Sequence, residues 1–240
     1  MPRTFAVSLA CCAAAAAHAG PADYVFTPHV VQGERELELK YGTARGADGS
    51  RSSAESLGLG YAVTGNWFTE LYANRESAAG ASARAHEWEN KFMLTEPGEY
   101  DVDLGMVAEL EVPQRNGDPY ESTLGLLLQK DVDRMQFNLN GLLVRQFHDG
   151  QPHRTEHVYQ WQAKYRWRPA LEFGAQGFGR VERWPLRSEA GGHDAAMGPA
   201  LFGMLHADGR SVLKYNAALL FGATDTAARR TFRTQIEYEF

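Results

Sequence analysis

Polar and apolar residues trade places at every second position along most of this chain, and few folds can use that pattern at such length. Glu36-Leu37-Glu38-Leu39-Lys40-Tyr41 alternates charge with apolar bulk, and Tyr100-Asp101-Val102-Asp103-Leu104 does the same. Met135-Gln136-Phe137-Asn138-Leu139-Asn140 and the stretch from Tyr159 to Arg168 continue it. A period of two places one set of side chains on each face of a strand, so each strand has one apolar face and one wet or densely hydrogen-bonded face. Twelve strands are predicted, at 34–43, 54–63, 67–76, 84–94, 99–111, 120–131, 134–147, 155–168, 170–182, 196–206, 211–222 and 229–240. Most exceed the roughly five to six residues usual in soluble sheets and reach the roughly 9 to 11 that a tilted strand needs to cross a bilayer. Helical apolar spacing is nowhere sustained.

The joins point the same way. Thr64-Gly65-Asn66, Glu96-Pro97-Gly98, Asp131-Val132-Asp133, Pro169 and Ala207-Asp208-Gly209 read as tight turns, while the intervening joins read as longer loops. Short and long are expected to alternate without exception. An even number of strands with short turns at one end and longer loops at the other is the plan of a bacterial outer-membrane barrel, with the short turns and both chain ends on the periplasmic side. The expected fold class is therefore all-β: a transmembrane antiparallel up-and-down barrel of about twelve strands. A soluble sandwich gives no reason for that parity.

The chain has 240 residues, 24 Lys and Arg against 30 Asp and Glu, and a net charge of −6. With a pI near 5.8 and no basic cluster, a nucleic-acid partner is not expected. Mean hydropathy is −0.41, and no apolar run approaches the roughly 18 to 20 residues of a membrane helix. Residues 1–19 have a basic start at Arg3, an apolar stretch and a small-residue close at Ala17-His18-Ala19, the layout of a secretory signal peptide. Cleavage is expected between Ala19 and Gly20, leaving a barrel domain over 20–240. Both cysteines, Cys11 and Cys12, lie in that leader, so the mature chain is expected to hold no disulfide and no thiolate metal site.

The two faces divide the labour. Leu37, Leu39, Tyr41, Leu57, Leu59, Leu71, Leu124, Leu126, Phe137, Leu139 and Ile236 are expected to face lipid. Aromatics form girdles above and below, Trp67, Phe92, Tyr100, Trp167 and Phe240 by the short turns and Tyr41, Trp88, Phe147, Phe221 and Phe232 toward the loops. Asn90 interrupts this face between Trp88 and Phe92. The inward face is acidic on the early strands, with Glu87, Glu89, Asp101, Asp103 and Glu109, and leans basic on the later ones, with Lys164, Arg166, Arg168, Arg180 and Arg233. Opposed walls of this kind would set a transverse field across a pore and select among charged solutes. Alternatively, the same charges pair across a filled lumen. Barrels of about eight strands are filled and those of 16 or more hold water, so twelve leaves channel and filled barrel both open.

Catalysis finds little support. His86 is the one histidine well placed on the outward face, no serine partner is evident near it, and no GxSxG motif occurs. His148, His153 and His157 fall in a loop without a carboxylate or cysteine pattern, so no metal is expected, and no cofactor. The expected partners are outer-membrane lipids, a small solute, and the barrel assembly machinery. The last 10 residues alternate through to Tyr238 and Phe240 and resemble the closing strand of outer-membrane proteins, whose terminal aromatic serves as the assembly signal.

GNWFTELY at 65–72 and WENKFMLTEPGEYDVDLGMVAELE at 88–111 are similar to segments of proteobacterial outer-membrane proteins related to the MetA-pathway phenol degradation family, a transporter group. The two segments cover about an eighth of the chain. The resemblance implies a barrel and the passage of small hydrophobic or aromatic compounds, and it assigns no residue a role. The charged inward face runs against that solute class.

Overall fold

The computed structural model describes residues 20–147, 154–181, 193–206 and 211–240. Twelve strands run in chain order: β1 (Arg35–Arg45), β2 (Arg51–Thr64), β3 (Trp67–Ala78), β4 (Ala81–Met93), β5 (Asp103–Pro113), β6 (Tyr120–Val132), β7 (Met135–Phe147), β8 (Arg154–Arg168), β9 (Leu171–Val181), β10 (His193–His206), β11 (Val212–Gly222) and β12 (Arg230–Glu239). Each pairs antiparallel with its sequence neighbours, and β1 pairs with β12 from Glu36↔Glu239 to Arg45↔Arg230, closing the barrel. Closure leaves no edge strand, so the strands pair around the whole circumference, with register shifts only in β2–β3 and β8–β9 among the described residues, as a low-dielectric surround demands.

The pleat sorts the residues as the alternation required. On β1, Glu36, Glu38, Lys40 and Gly42 are buried inside while Leu37, Leu39 and Tyr41 are exposed outside. Outward leucines and aromatics continue around the barrel through Leu59, Leu71, Leu126, Leu139, Leu201, Leu219 and Ile236. A continuous apolar exterior of this kind is far larger than the patches soluble monomers leave exposed, and it fits a lipid surround. Asn90 is accommodated without a protein interior to receive it. Its side-chain oxygen accepts from the Trp67 indole N–H (3.1 Å) and the Thr69 hydroxyl (3.1 Å), and Thr69 in turn accepts from Trp88 (2.9 Å). Asn90 and Thr69 thus supply the acceptors for the indole N–H groups of two girdle tryptophans on the outer face.

Two expectations about the joins need correction. The β3–β4 join is no long loop: the strands extend to Ala78 and Ala81, and only Ala79-Gly80 lie between them. Both carry positive φ (49° and 82°), the backbone of a two-residue type I′ hairpin, which matches the twist of its flanking strands. Conversely the β4–β5 join spans residues 94–102, because β5 begins at Asp103 rather than near 99. Pro97 and the positive φ of Gly98 (74°) hold that segment in turns, so Tyr100 and Asp101 stand outside the sheet. Short and long joins therefore do not alternate strictly.

The largest departure is residues 20–34, which the alternation leaves unassigned. They run inside the barrel, from Pro21 beside Gly42 in the loop half of β1 down to Glu34 at the turn end. Only glycine can stand where they pass closest: a Cβ on Gly42 would lie 1.8 Å from the Pro21 carbonyl oxygen, and one on Gly105 would lie 2.7 Å from Pro28 Cβ. Residue 20 thus lies in the lumen and not below it.

Candidate functional site

The strap formed by residues 20–34 determines what kind of lumen this is. Its apolar side chains are gripped by inward-facing apolar residues of three sectors. Val25 joins Phe178, Ala200, Phe202, Ala218 and Leu220, and Phe26 joins Val107, Leu127, Leu142, Val144 and Val158. Val30 joins Ala62, Phe68 and Met93 nearer the turns. Burying a large apolar side chain of this kind contributes roughly 1.5 to 3 kcal/mol, so the three together anchor the strap. Polar contacts fix its register. Tyr24 donates to Glu89 (2.5 Å), His29 Nε2 lies 2.8 Å from Asp103 Oδ2, and Asn140 donates to the Phe26 carbonyl (3.1 Å).

Around the strap the lumen is polar in two distinct ways. On β6–β9 it is lined by uncharged amides: Asn138 donates to Gln129 (2.9 Å), Asn140 to Gln160 (3.1 Å), Gln162 to Asn138 (3.4 Å) and Gln176 to Gln162 (2.7 Å). That patch escaped the sequence reading, although Gln136-Phe137-Asn138-Leu139-Asn140 and Gln160-Trp161-Gln162 announce it through the same alternation. On β1–β5 the lining is carboxylate-rich. Glu87, Glu89 and Glu109 bring oxygens within 4.8 Å of one another, and Asn74 donates to both Glu87 (2.8 Å) and Glu111 (3.1 Å). Lys40, buried, answers this charge from the centre of the group. Its ammonium lies 3.0 Å from Glu38 and between the rings of Tyr24 and Tyr72, 3.5 and 3.7 Å from their centroids.

The expected charged walls are only partly assembled. Glu87, Glu89, Glu109 and Asp103 face inward, but Asp101 is exposed in the β4–β5 turn. Lys164 is inward and pairs with Glu172 (3.0 Å). Arg166 pairs with Asp131 (2.8 Å) at the turn end, and a register shift between Tyr165 and Arg168 leaves Arg168 exposed against Trp167. Arg180 is bound to Glu156. Arg233 is 2% exposed, with its guanidinium 4.7 Å from the Phe178 ring centroid. The two walls therefore do not look at each other across open space: the strap stands between them, Lys164, Arg166 and Arg180 pair locally, and Arg233 meets the Phe178 ring with its Nε and Nη1 unbonded.

What stays open is a cavity of about 580 Å³ in the turn half of the lumen. Glu36, Glu38, Glu70 and Glu237 line it from β1, β3 and β12, with Lys91 and Lys214 among them, Lys214 lying 3.8 Å from Glu237; Lys164, Arg166 and Glu172 line it from β8 and β9, and Tyr24, Phe26 and His29 of the strap reach it. Lys214 also binds Glu239 and lies 3.7 Å from Glu34. In this vestibule opposite charges do meet across a space large enough for a small solute. Outside the lumen, His86 is engaged by Gln114 (2.9 Å). His148 and His153 lie outside the described residues. Tyr238 and Phe240 stack at 5.8 Å between ring centroids, both exposed on the outer face, and the Phe240 amide closes onto the Arg35 carbonyl (3.0 Å).

A closed twelve-stranded barrel with a lipid-facing exterior can be compared with barrels of known function. A COG4313 outer membrane channel from Pseudomonas putida F1 superposes with a TM-score of 0.58 at 14% identity, over 92% of this chain and 99% of that one. The NanC porin superposes with a TM-score of 0.58 at 10% identity, over 85% of this chain and 98% of that one. This chain shares their fold. No protein-family model matches the sequence, and no curated protein matches it. At these identities the likeness concerns architecture, and the function rests on the lumen.

Proposed function

We propose that this chain is an outer-membrane channel for small solutes, its passage narrowed by its own N-terminal segment. The observation that carries the proposal is the vestibule of about 580 Å³, charged on opposite sides and continuous with the strap. A cavity so lined favours small polar or zwitterionic solutes, whose two ends can be met by Lys164 or Arg166 and by Glu36 or Glu237. The hydrophobic or aromatic compounds implied by the family resemblance fit it poorly. In this reading the exterior leucines and girdle aromatics contact outer-membrane lipid, and Tyr238 with Phe240 forms the signal for the assembly machinery.

A second reading is favoured by the apolar grip on Val25 and Phe26, which would suit a permanently filled barrel with a structural or receptor role. Conductance separates the two. Residues 20–240, refolded into a planar bilayer and verified by heat-modifiable gel mobility, are expected to give small discrete open steps. A variant lacking residues 20–31 is expected to conduct several-fold more. Silence in the parent with conduction in the deletion would favour the filled barrel, and silence in both folded proteins would overturn the channel.

A further inference from the structure

Along the loop end of the closing seam, one outward feature has no role in a solute path. Arg45 stands directly opposite Arg51 on β2 and directly opposite Arg230 on β12, so three arginines lie in one row across three adjacent strands. Each shares the outward parity of the lipid-facing residues of its strand: Arg45 with Tyr41, Arg51 with Leu57, Arg230 with Phe232. Directly opposed residues have Cβ atoms only about 5 Å apart, and like charges so placed repel. Glu55, on the same outward row of β2, is already taken by Arg75 (3.3 Å). The corresponding row on the far side of the barrel, Ser122–Arg145–Thr155 across β6, β7 and β8, carries a single arginine, set against the Phe147 ring. Arg75 and Arg84 also oppose each other on β3 and β4, but there Arg75 is engaged by Glu55; among the described residues the row of three lies at the seam.

A groove lies there. A cavity of about 540 Å³ is bounded by the three arginines, by Ser53 and Ser77, and by the exposed apolar faces of Tyr41, Leu219 and Phe232. It is cationic at the loop rim and apolar toward the middle of the bilayer, continuous with the lipid-facing belt. We infer that this groove binds the phosphorylated headgroup of an outer-leaflet lipopolysaccharide. The arginines take its phosphate groups, and an acyl chain lies over Tyr41, Leu219 and Phe232. Planar guanidiniums suit phosphate because they engage it bidentately, and an anion between them turns a repulsive row into an attractive one. The inference rests on the outer-membrane reading of the barrel and on the loop end facing outward.

The test uses residues 20–240 refolded in detergent and in liposomes, with bound lipid read by native mass spectrometry. Diphosphoryl lipid A is expected to bind one to one, and its phosphate-free derivative not to bind. The R45Q/R51Q/R230Q variant is expected to bind lipid A about tenfold or more weakly, while R145Q binds as the parent does. Equal binding by the triple variant, or of the phosphate-free lipid, overturns the site. So does inorganic phosphate displacing lipid A at equal affinity, which would make the row a free-anion site. Should the triple variant fail to show heat-modifiable folding, a salt titration of the parent decides: binding that weakens with salt supports the groove, and salt-independent binding overturns it. A protein that does not insert into liposomes refutes the membrane reading instead, whereas one that inserts but ignores lipid A refutes this inference alone.

Discussion

Lys40 is the residue on which most of the lumen's electrostatics turns. It is buried against Glu38, within the acidic group of Glu70, Glu87 and Glu89, and clamped by the rings of Tyr24 and Tyr72. Removing one partner from such a group leaves the other charged and buried, which costs roughly 3 to 5 kcal/mol. Lys40→Met is therefore expected to lower stability by about that amount, read as a drop in the urea midpoint of heat-modifiable mobility. Arg166 is a contrasting case: its ion pair with Asp131 is partly exposed, so Arg166→Glu is expected to leave stability nearly unchanged. Lying at the vestibule wall, the same substitution should shift the reversal potential toward cation selectivity in a salt gradient, and an unchanged potential in a conducting protein would remove Arg166 from the path. At this scale the sequence was informative about direction and silent about partners. Parity alone turned Glu38 and Lys40 inward. Nothing in it could reveal that Tyr24, from a segment without period, would stack on Lys40.

Among the elements, strands were legible and their ends were not. Each strand carries its own two-residue period, so its existence needs no knowledge of its neighbours. The β3–β4 hairpin was misjudged because its Ser, Ala and Gly residues look like loop composition while their backbone continues the ladder to Ala78↔Ala81. Alanine at positive φ is strained there, and Asn-Gly is the preferred pair for this turn. Ala79→Asn is accordingly expected to stabilise the barrel by about 0.5 to 1 kcal/mol, measured by urea unfolding. The strap was illegible for a different reason. Its 15 residues make no ladder of their own and acquire a conformation from Gly42, Gly105, the clusters around Val25, Phe26 and Val30, and the bonds of Tyr24, the Phe26 carbonyl and His29 to the wall. Gly42→Val places a side chain where the Pro21 carbonyl now lies, so it should dislodge the strap's upper part without opening the sheet. A faster protease cut within residues 20–28, with the folded gel mobility retained, is the expected result.

Taken as a whole, the molecule has an apolar belt outside and its core inside, gathered on a segment that belongs to no strand. That arrangement carries a consequence for how the chain must be made. β1 leads straight out of the strap, and β1 with β12 forms the seam that shuts the barrel. A fifteen-residue thread cannot readily be pushed past buried Phe26 and Val107 into a cylinder already sealed, so it has to be lying in place when the last two strands zip together. The order of the last steps is thereby fixed: thread laid, then seam closed. For anyone handling the protein the corollary is practical. A folded tag ahead of Gly20 would occupy the space the thread needs and stall the closing step, whereas the same tag inserted between Asn116 and Gly117, both exposed in the loop that joins β5 to β6, should leave it untouched.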